Sequence, residues 1–559
     1  MKYFNLVQTV STYSWVFLPI LGYLVAFFIV EIFFKSNRFW LKAWNHKFNW
    51  LNRLDFNIFI SLVCVSYFVL IKYLNHLSFQ TSAFDFAIFD QNFFVQSQGI
   101  FPPINSVRGM SNLWIDHQHF SQIILAPLYW INSGMSGLVM IFLSPLLLIL
   151  IPSVLVYLSY KNLTENQAIN QTNYWIIGFS SLILSIHPYT QSAIEFYYHE
   201  QYLFSLFFGL VVYFITRYFS KRDRFSLYGL LFSYIGWLGV KEDQWLYILT
   251  FFLSLVILGI VFCKRKIFVF IKANKVFVFI NSFFGIFSLI YWELIQRWMK
   301  SVSPNWSGYI SNYTQFKNVT EEFVQTGNVS NYWNSLPSLR EDVSEYMYQH
   351  FLHFDIFGII LFPFSICVNY AIRLFSSNQF LRHPWFHYGS EVPTIVIFGI
   401  IFTYFLFIKY NKKQLAQKFI YFILISYIFG FISIIGWSSN IDTQRVNNYS
   451  FFSLKNAKLG YLTTSDERQD LNYVKQFIKP NYKLRTSREY MPQFSARLNL
   501  SYLYGIDGPE GLEKMKSDEY NYWLIPKKAE QDKIYIKSLK QNNLKIIVET
   551  SNQILFKTN

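Results

Sequence analysis

Residues 245–262 read W-L-Y-I-L-T-F-F-L-S-L-V-I-L-G-I-V-F, an apolar run without a charged side chain. A helix rises about 1.5 Å per residue, so a run of this length nearly matches the roughly 30 Å thickness of a hydrocarbon core. Charged residues bound the run on both sides, with K-E-D at 241–243 and K-R-K at 264–266. The stretch therefore predicts a membrane-spanning helix.

Similar apolar runs recur through most of the chain. Of its 559 residues, 53% are hydrophobic and only 14% are charged, which favours a protein that lies mostly in lipid. Further spans are predicted near residues 13–34, 56–74, 134–158, 172–190, 202–219, 225–240, 275–297, 393–410 and 418–437. We therefore expect an all-α polytopic membrane protein with about 11–13 transmembrane helices.

The positive charge of the chain indicates how it is oriented in the membrane. A net charge of +16 would favour a nucleic-acid partner in a soluble protein. Here much of the basic excess lies in short loops beside the spans, which the positive-inside rule assigns to the cytoplasm. These loops are residues 35–53, 221–224, 263–266 and 411–413. Alternation then places the N-terminus and the loops 75–133 and 299–350 outside, and no nucleic acid is expected to bind.

Residues 351–375 do not fit this alternation. They are long enough for one span, yet both of their ends are expected on the external face. Pro363 lies in the middle, and a proline removes a hydrogen bond from a helix. We predict a broken pair of short helices or a re-entrant hairpin, which protein or water can accommodate within a membrane.

The composition changes near residue 438, after which no further span follows. Residues 466–478 have the spacing of an amphipathic helix. Its apolar face is predicted to contain Leu471, Val474 and either Phe477 or Ile478. The end of the chain predicts two strands around a turn at Ser551 and Asn552. We expect a transmembrane domain at 1–437 and a small extracytoplasmic α/β domain at 438–559.

The first expected external loop begins with F-D-F-A-I-F-D-Q-N-F-F at 84–94. Residues 86–98 resemble a helix that ends at Gly99, with Asp85 as its N-cap and its phenylalanines along the membrane interface. At helical geometry, Asp90 points about 140° away from Asp85. Asp85 is then either a structural cap or a general base or metal ligand at the bilayer surface.

The same loop continues with Asp116-His117-Gln118-His119. A carboxylate and an imidazole together suit several divalent metals. Asp116 and His119 share a face on a helix, whereas His117 and His119 share one only in an extended chain. A divalent metal ion is thus a possible cofactor, with Asp116 and His119 as ligands. Hydrogen-bonded scaffolding is the alternative for these side chains.

Other polar clusters are expected on the same face of the membrane. Tyr197 to Gln201 includes His199 and Glu200, and Lys241-Glu242-Asp243 lies between two spans. A lysine can hold a phosphate as a point charge. The alternative is a solvated turn in which Lys241 and a neighbouring acid neutralise each other. Farther along the chain, R-H-P-W-F-H-Y-G-S contains His383, His387 and Tyr388.

Five of these segments, in this order, resemble a bacterial multi-span membrane family known as domain of unknown function 2079. They are F-D-F-A-I-F-D-Q at 84–91, D-H-Q-H-F-S-Q-I-I-L-A-P-L-Y-W at 116–130, Y-H-E-Q at 198–201, V-K-E-D at 240–243 and F-H-Y-G-S at 386–390. The resemblance covers roughly residues 56–410. That family looks like a branch of the GT-C superfamily, membrane glycosyltransferases that use polyprenyl-phosphate-linked sugars.

The resemblance implies a GT-C-like membrane domain and a catalytic or metal-linked aspartate in the first large external loop. Asp85 matches that position, and Asp90 and Asp116 are the next candidates. Basic residues hold the lipid phosphate in GT-C enzymes, which implies this role for Lys241. The expected substrate-binding residues are His119, His199, Glu200, Lys241, Glu242, His387 and Tyr388.

We therefore expect a multi-pass protein of the cell membrane that performs inverting glycosyl transfer on the external face. Its expected partners are a polyprenyl-phosphate sugar and membrane lipid, and Asp85 is the expected base. A transporter or lipid flippase is an alternative, although its ionisable groups belong near the bilayer midplane and usually in repeated halves. A non-catalytic scaffold that binds a partner through its external domain is another.

Overall fold

In a computed structural model of the chain, helices make up most of what the structure describes. The residues described are 24–31, 52–77, 81, 83–107, 110–115, 117–131, 137–165, 173–195, 197–302, 321, 324–325, 358, 362, 364–367, 369, 389–438, 465–479, 481–487, 490–502, 521–527, 530–542 and 544–558. They fall into two compact units. The membrane unit includes 146–195 and 201–453, and the sheet unit includes 66–145, 196–200 and 454–559.

The main helices are α1 to α13, numbered in chain order. In the first half they are α1 (Leu54–Leu77), α2 (Ala83–Ser97), α3 (Leu138–Thr164), α4 (Trp175–Ile186), α5 (Pro188–Glu195), α6 (Leu203–Lys221) and α7 (Arg224–Leu238). The second half has α8 (Gln244–Cys263), α9 (Lys275–Val302), α10 (Glu391–Lys409), α11 (Lys413–Ser438), α12 (Ser465–Lys475) and α13 (Glu530–Gln541).

Six helices in the described part of the chain are long and apolar enough to cross a membrane. They are α1, α3, α6 (with the turn at Glu200–Tyr202), α8, α9 and α10. This confirms the predicted helical, membrane-type character of the chain. The predicted total of spans and the side on which each loop lies remain predictions. The predicted break at Pro363 lies outside the described residues.

Within the membrane unit the spans differ in how much of their surface the protein covers. In α10, 72% of the most apolar window is buried, against 28% in α8 and in α9. The uncovered side chains of α8 and α9 are themselves apolar, such as Phe262 and Phe279. Such surfaces suit contact with lipid, since lipid does not penalise an exposed apolar side chain as water does.

Helix α6 packs closely between its neighbours in the membrane unit. It contacts residues 151–164 of α3 on one side and α7 on another. A Cβ atom at Gly229 or Gly236 of α7 would overlap the ring of Phe214 or Phe207 of α6. Small residues of this kind let two helix backbones approach each other in membranes. The α6–α7 pair is therefore fixed by glycine on one helix and aromatic rings on the other.

The sheet unit contains the predicted α/β fold. Its five strands are β1 (Leu484–Thr486), β2 (Leu500–Tyr502), β3 (Tyr522–Pro526), β4 (Lys545–Glu549) and β5 (Gln553–Lys557), in the order β2-β1-β3-β5-β4. Strand β1 is parallel to β2 and to β3, whereas β5 is antiparallel to β3 and to β4. The predicted final hairpin around Ser551 and Asn552 is confirmed. The predicted amphipathic helix is α12, which ends at Lys475 rather than at residue 478. Beyond its end, Ile478 (6% exposed) joins Leu471 and Val474 in the core, whereas Phe477 is 37% exposed.

One hydrophobic core joins α2 to this sheet. We call it the shared core; its buried members are Ala87, Ile88, Val107, Leu113, Leu471, Val474, Ile478, Leu484, Tyr490, Met491, Phe494, Leu500, Tyr522, Leu524 and Leu555. The predicted placement of the α2 phenylalanines along the membrane interface is wrong for three of the rings. Phe86, Phe89 and Phe93 are at most 7% exposed, because other parts of the same unit pack around α2.

Candidate functional site

Helix α2 positions both of the aspartates that the sequence singled out. It begins at Ala83, so Asp85 lies within the first turn. The prediction that Asp85 precedes the helix as its N-cap is therefore wrong. A negative charge in the first turn still interacts favourably with the positive end of the helix dipole. The two carboxylates have opposite surroundings: the Asp85 side chain is 34% exposed, whereas Asp90 is fully buried.

Asp90 is held by three donors from distant parts of the sheet unit. Its Oδ1 accepts hydrogen bonds from the Tyr129 hydroxyl and, at 3.3 Å, from the Gly137 backbone N–H. Its Oδ2 accepts one from the Ser495 hydroxyl at 2.5 Å. Burial raises the pKa of Tyr129 well above its ordinary value, and the nearby charge of Asp90 raises it further. Tyr129 therefore stays protonated and remains a donor, and Asp90 ties α2 to three other segments.

His199 lies between two carboxylates, and this group forms the Asp85–His199–Glu200 cluster. The His199 Nε2 is 3.9 Å from the Asp85 Oδ2, and its Nδ1 is 3.7 Å from the Glu200 Oε2. The histidine and glutamate side chains are 8% and 2% exposed, whereas Asp85 is 34% exposed. The cluster thus presents one accessible carboxylate backed by a buried histidine and a buried acid.

Aromatic rings enclose the histidine of this cluster. The Phe89 ring centroid lies 5.0 Å from that of His199 and 5.6 Å from that of Tyr198. Burial raises the pKa of Tyr198 well above its ordinary value, and the charge of Glu200 raises it further, while a hydrogen bond with Gln122 opposes the shift. Tyr198 is therefore a neutral phenol. The rings exclude water from one side of His199, which strengthens its electrostatic contacts.

The loop that carries His199 has an unusual backbone beside the cluster. Tyr197 has a φ of +62°, in the left-handed region, which costs a residue other than glycine about 1–3 kcal/mol. Its ring packs edge-on against Phe86 at 5.0 Å, and the Lys72 ammonium lies 4.8 Å from the ring centroid. Its hydroxyl donates to Thr81 at 3.4 Å. These contacts hold the loop in a conformation that presents His199 and Glu200 to α2.

The metal prediction rests largely on residues that are not described. Asp116 lies outside the described residues, so its distance from His119 is not defined. His119 is 2% exposed, stands directly before the short helix Phe120–Leu125, and lies beside the Phe89 ring. Among the described residues, no group of three or more histidine, cysteine, aspartate or glutamate side chains has a spacing suited to a metal ion.

Lys241 and Glu242 belong to the membrane unit, in the turn between α7 and α8. They are 2% and 1% exposed, so the turn is not solvated; that Lys241 and a neighbouring acid neutralise each other stays a prediction. The Lys241 ammonium donates to the Gln201 side-chain oxygen at 3.3 Å. His387 and Tyr388, together with His383, lie outside the described residues. Of the predicted site residues, Asp85, His199 and Glu200 are thus brought together, and Asp90 lies in a separate buried network.

Sequence reasoning missed the residues that hold Asp90. Tyr129 is part of an apolar run, where an aromatic ring indicates a packed core rather than a hydrogen-bond donor. Ser495 lies 405 residues from Asp90 in the chain, and nothing in its local sequence marks it. Tyr198 directly precedes His199, and nothing in the local sequence predicts that its ring contacts both Phe89 and Phe93.

Comparison with known proteins adds no family assignment. The chain matches no protein-family model, and no curated protein matches it.

Proposed function

We propose that the chain is an integral membrane glycosyltransferase that uses a polyprenyl-phosphate-linked sugar, with Asp85 as the general base. The observation that supports this proposal is the Asp85–His199–Glu200 cluster, in which the accessible carboxylate lies beside a buried histidine. General bases in enzymes need access to the substrate and a neighbour that fixes their orientation. Asp85 has both.

In the proposed reaction, the acceptor hydroxyl attacks the anomeric carbon of the donor sugar. Its oxygen forms the new glycosidic bond, and its proton passes to the Asp85 carboxylate. The bond from the anomeric carbon to the phosphate oxygen breaks, and the lipid phosphate leaves with the electron pair. Attack opposite to the leaving group inverts the anomeric configuration.

His199 and Glu200 are positioning residues in this proposal. The His199 ring nitrogens lie 3.9 Å from Asp85 and 3.7 Å from Glu200, longer than hydrogen bonds, and in this proposal they close to hydrogen bonds that orient Asp85 when the substrate binds. The rings of Phe89 and Tyr198 limit the movement of that histidine.

The test is sugar transfer by the purified full chain in nanodiscs that contain polyprenyl-phosphate sugars as donors. General-base catalysis contributes about 10²–10⁴-fold, so Asp85→Asn should lose about that much activity while its melting temperature stays unchanged. Asp55→Asn, at an exposed carboxylate of α1, is the matched control and should keep full activity. A folded Asp85→Asn protein with wild-type transfer would remove Asp85 from the mechanism.

Buried charge in the membrane unit favours a second candidate function, transport. Glu391, at the start of α10, is 2% exposed, and Lys241 and Glu242 are equally buried. Ionisable groups inside a membrane often mark substrate or proton pathways. Transport would be favoured if the wild-type protein moves a lipid or solute across proteoliposome membranes, if Glu391→Gln and Glu242→Gln reduce this flux, and if no glycosyl product forms. Transfer without flux would favour the enzyme.

A further inference from the structure

Two cationic side chains of the sheet unit share one aromatic ring. The Lys475 ammonium lies 5.5 Å from the centroid of Phe494, and the Arg497 guanidinium carbon lies 5.1 Å from it. Arg497 is only 5% exposed, and Lys475 is partly covered at the end of α12. Two like charges held against one ring repel each other, and their burial weakens the screening by water.

The nearby acids are engaged elsewhere. Glu467 of α12 accepts a hydrogen bond from the Tyr490 hydroxyl at 2.9 Å. Asp470 accepts from Ser551 at 2.8 Å and from Asn552 at 3.1 Å, in the turn between β4 and β5. Among the residues that the structure describes, no carboxylate forms an ion pair with Lys475 or Arg497. The two cations therefore have no anionic partner from this part of the chain.

Neutral groups satisfy only part of the hydrogen-bonding capacity of the pair. Lys475 donates to the Gln493 side-chain oxygen at 3.3 Å, and Gln493 in turn donates to the His76 carbonyl oxygen at 2.9 Å. The Arg497 Nε donates to the Phe494 carbonyl oxygen at 2.8 Å, and its Nη1 donates to the Tyr482 carbonyl oxygen at 3.5 Å. An ammonium has three N–H donors and a guanidinium has five, so these contacts leave several donors for another acceptor.

The acid–base behaviour of the pair agrees with this geometry. Burial, together with the charges of Arg468 and Arg497, lowers the pKa of Lys475 to about 8. Burial also lowers the pKa of Arg497 to about 10. Carbonyl groups at the end of α1, near His76, supply at most about half a negative charge, which is too little to balance two cations.

We propose that Lys475 and Arg497 bind an oxyanion of the phosphate class, which bridges the two cations beside the Phe494 ring. A phosphate accepts several hydrogen bonds at once, from the fork of an arginine and from the point charge of a lysine. A single carboxylate has fewer acceptor oxygens with which to bridge them. This site does not depend on the proposed function, since it would bind phosphate whether or not the chain transfers sugars.

The test measures how readily the Lys475 amine reacts with acetic anhydride as the pH is raised, in the full chain in phosphatidylcholine nanodiscs. Bound phosphate should move the pH midpoint of this reaction upward from about 8 by one unit or more and slow acetylation at pH 8 about tenfold. Inorganic phosphate, with chloride at equal ionic strength as the blank, is the first arm. Nanodiscs with a polyprenyl monophosphate lipid are the second, and together they separate a free phosphate from a lipid headgroup.

Variants make the result specific to the pair. Arg497→Gln should abolish the phosphate effect on Lys475, whereas Arg497→Lys, which keeps the charge, should retain part of it. Exposed Lys537 of α13, followed in the same samples, is the matched control and should show no phosphate effect. Protection by either phosphate source supports the site and identifies its source. Equal acetylation of Lys475 with and without both sources, in the folded protein, would overturn the proposal.

Discussion

Asp85 and Asp90 lie five positions apart on α2, yet they do different work. Asp85 is accessible and belongs to the Asp85–His199–Glu200 cluster, whereas Asp90 is buried and bonded to Tyr129, Gly137 and Ser495. A buried carboxylate is tolerated only when hydrogen bonds replace the water that it loses. Asp90 is therefore a structural residue of the sheet unit.

Replacing Asp90 tests this difference. Asp90→Ala removes the buried acceptor of the Tyr129 hydroxyl and of the Gly137 N–H, and each such loss costs about 1–3 kcal/mol. The Ser495 hydroxyl can still donate to the Pro492 carbonyl oxygen at 3.1 Å. We expect a loss of at least about 2 kcal/mol in the free energy of unfolding of the sheet unit, measured by denaturant unfolding in detergent. Asp85→Ala should cost less than about 1 kcal/mol, since its carboxylate is exposed. Equal losses for the two variants would contradict these assignments.

Lys475 makes stability depend on pH. Its pKa is about 8 in the folded protein, below the ordinary value of 10.5, so the unfolded chain binds the proton more tightly. Below pH 8 Lys475 is charged in both the folded and the unfolded protein, and the free-energy cost of burying that charge lowers the stability in full. As the pH rises to 10.5 the folded protein loses this proton first, so the cost disappears. Lys475→Met should therefore melt at a higher temperature than wild type at pH 7. This gap should narrow by pH 10.5 in thermal scans without phosphate, and a constant gap would contradict the shift.

The sequence accounts for part of this residue-level description. Helical geometry alone predicts that Asp85 and Asp90 point in different directions. It does not predict which of them is buried, because Tyr129 and Ser495 reach Asp90 only after distant segments have packed. The sequence does not predict the contact between His199 and Asp85 either, because the loop that brings them together contains the left-handed Tyr197 backbone.

At the scale of elements, α2 is the point where the first large loop and the C-terminal sheet meet in one unit. Ala87 and Ile88 enter the shared core beside Leu471 and Leu500, and the Gln91 side chain donates to the Arg497 carbonyl oxygen at 2.8 Å. Most isolated helices of this length are only marginally stable in water. The sheet therefore stabilises the helix that carries Asp85.

Truncating the shared core should loosen α2. An isoleucine-to-alanine change in a core costs about 2–5 kcal/mol, so Ile88→Ala should raise amide hydrogen exchange in both α2 and β2, as observed by mass spectrometry. Ile534→Ala, at a side chain that is 62% exposed in α13, provides the comparison and should leave both elements protected. Faster exchange confined to α2 would show that the helix does not share its core with the sheet.

The periodicity of the sequence predicts which helices and strands form better than it predicts what packs around them. Apolar runs of bilayer length predicted α1, α6, α8 and α9, and two short runs around a turn predicted β4 and β5. The phenylalanines of α2 were misassigned because an amphipathic interfacial helix and a buried helix have the same composition. Only the residues that cover α2 from elsewhere in the unit decide between them.

At the scale of the whole molecule, the distribution of basic loops predicts the orientation of the chain. Residues 221–224, 263–266 and 411–413 carry much of the basic excess, and one further predicted span, residues 418–437 within α11, lies between the last of them and the strands of the sheet unit. The positive-inside rule then places those loops in the cytoplasm and the sheet on the external face.

Cysteine labelling tests this orientation. In a variant without its native Cys64, Cys263 and Cys367, single cysteines at Lys412 and at Gln541 mark a basic loop and the sheet unit. An impermeant maleimide added to intact cells should label the cysteine at 541 and not the one at 412. Lysed cells, in which both should react, provide the control. Labelling of position 412 in intact cells would reverse the orientation.

The shared core also sets the timing of assembly. Gln91 and Arg497, which are bonded to each other, lie 406 residues apart in the chain. At a synthesis rate of about 5–20 residues per second, α2 leaves the ribosome roughly 20 to 80 s before its partner does. During that interval Ala87 and Ile88 have no sheet to cover them. The sheet unit therefore remains incompletely folded in the cell during that interval. A chain that stops before β1 would leave Asp85 on a helix that the sheet does not stabilise.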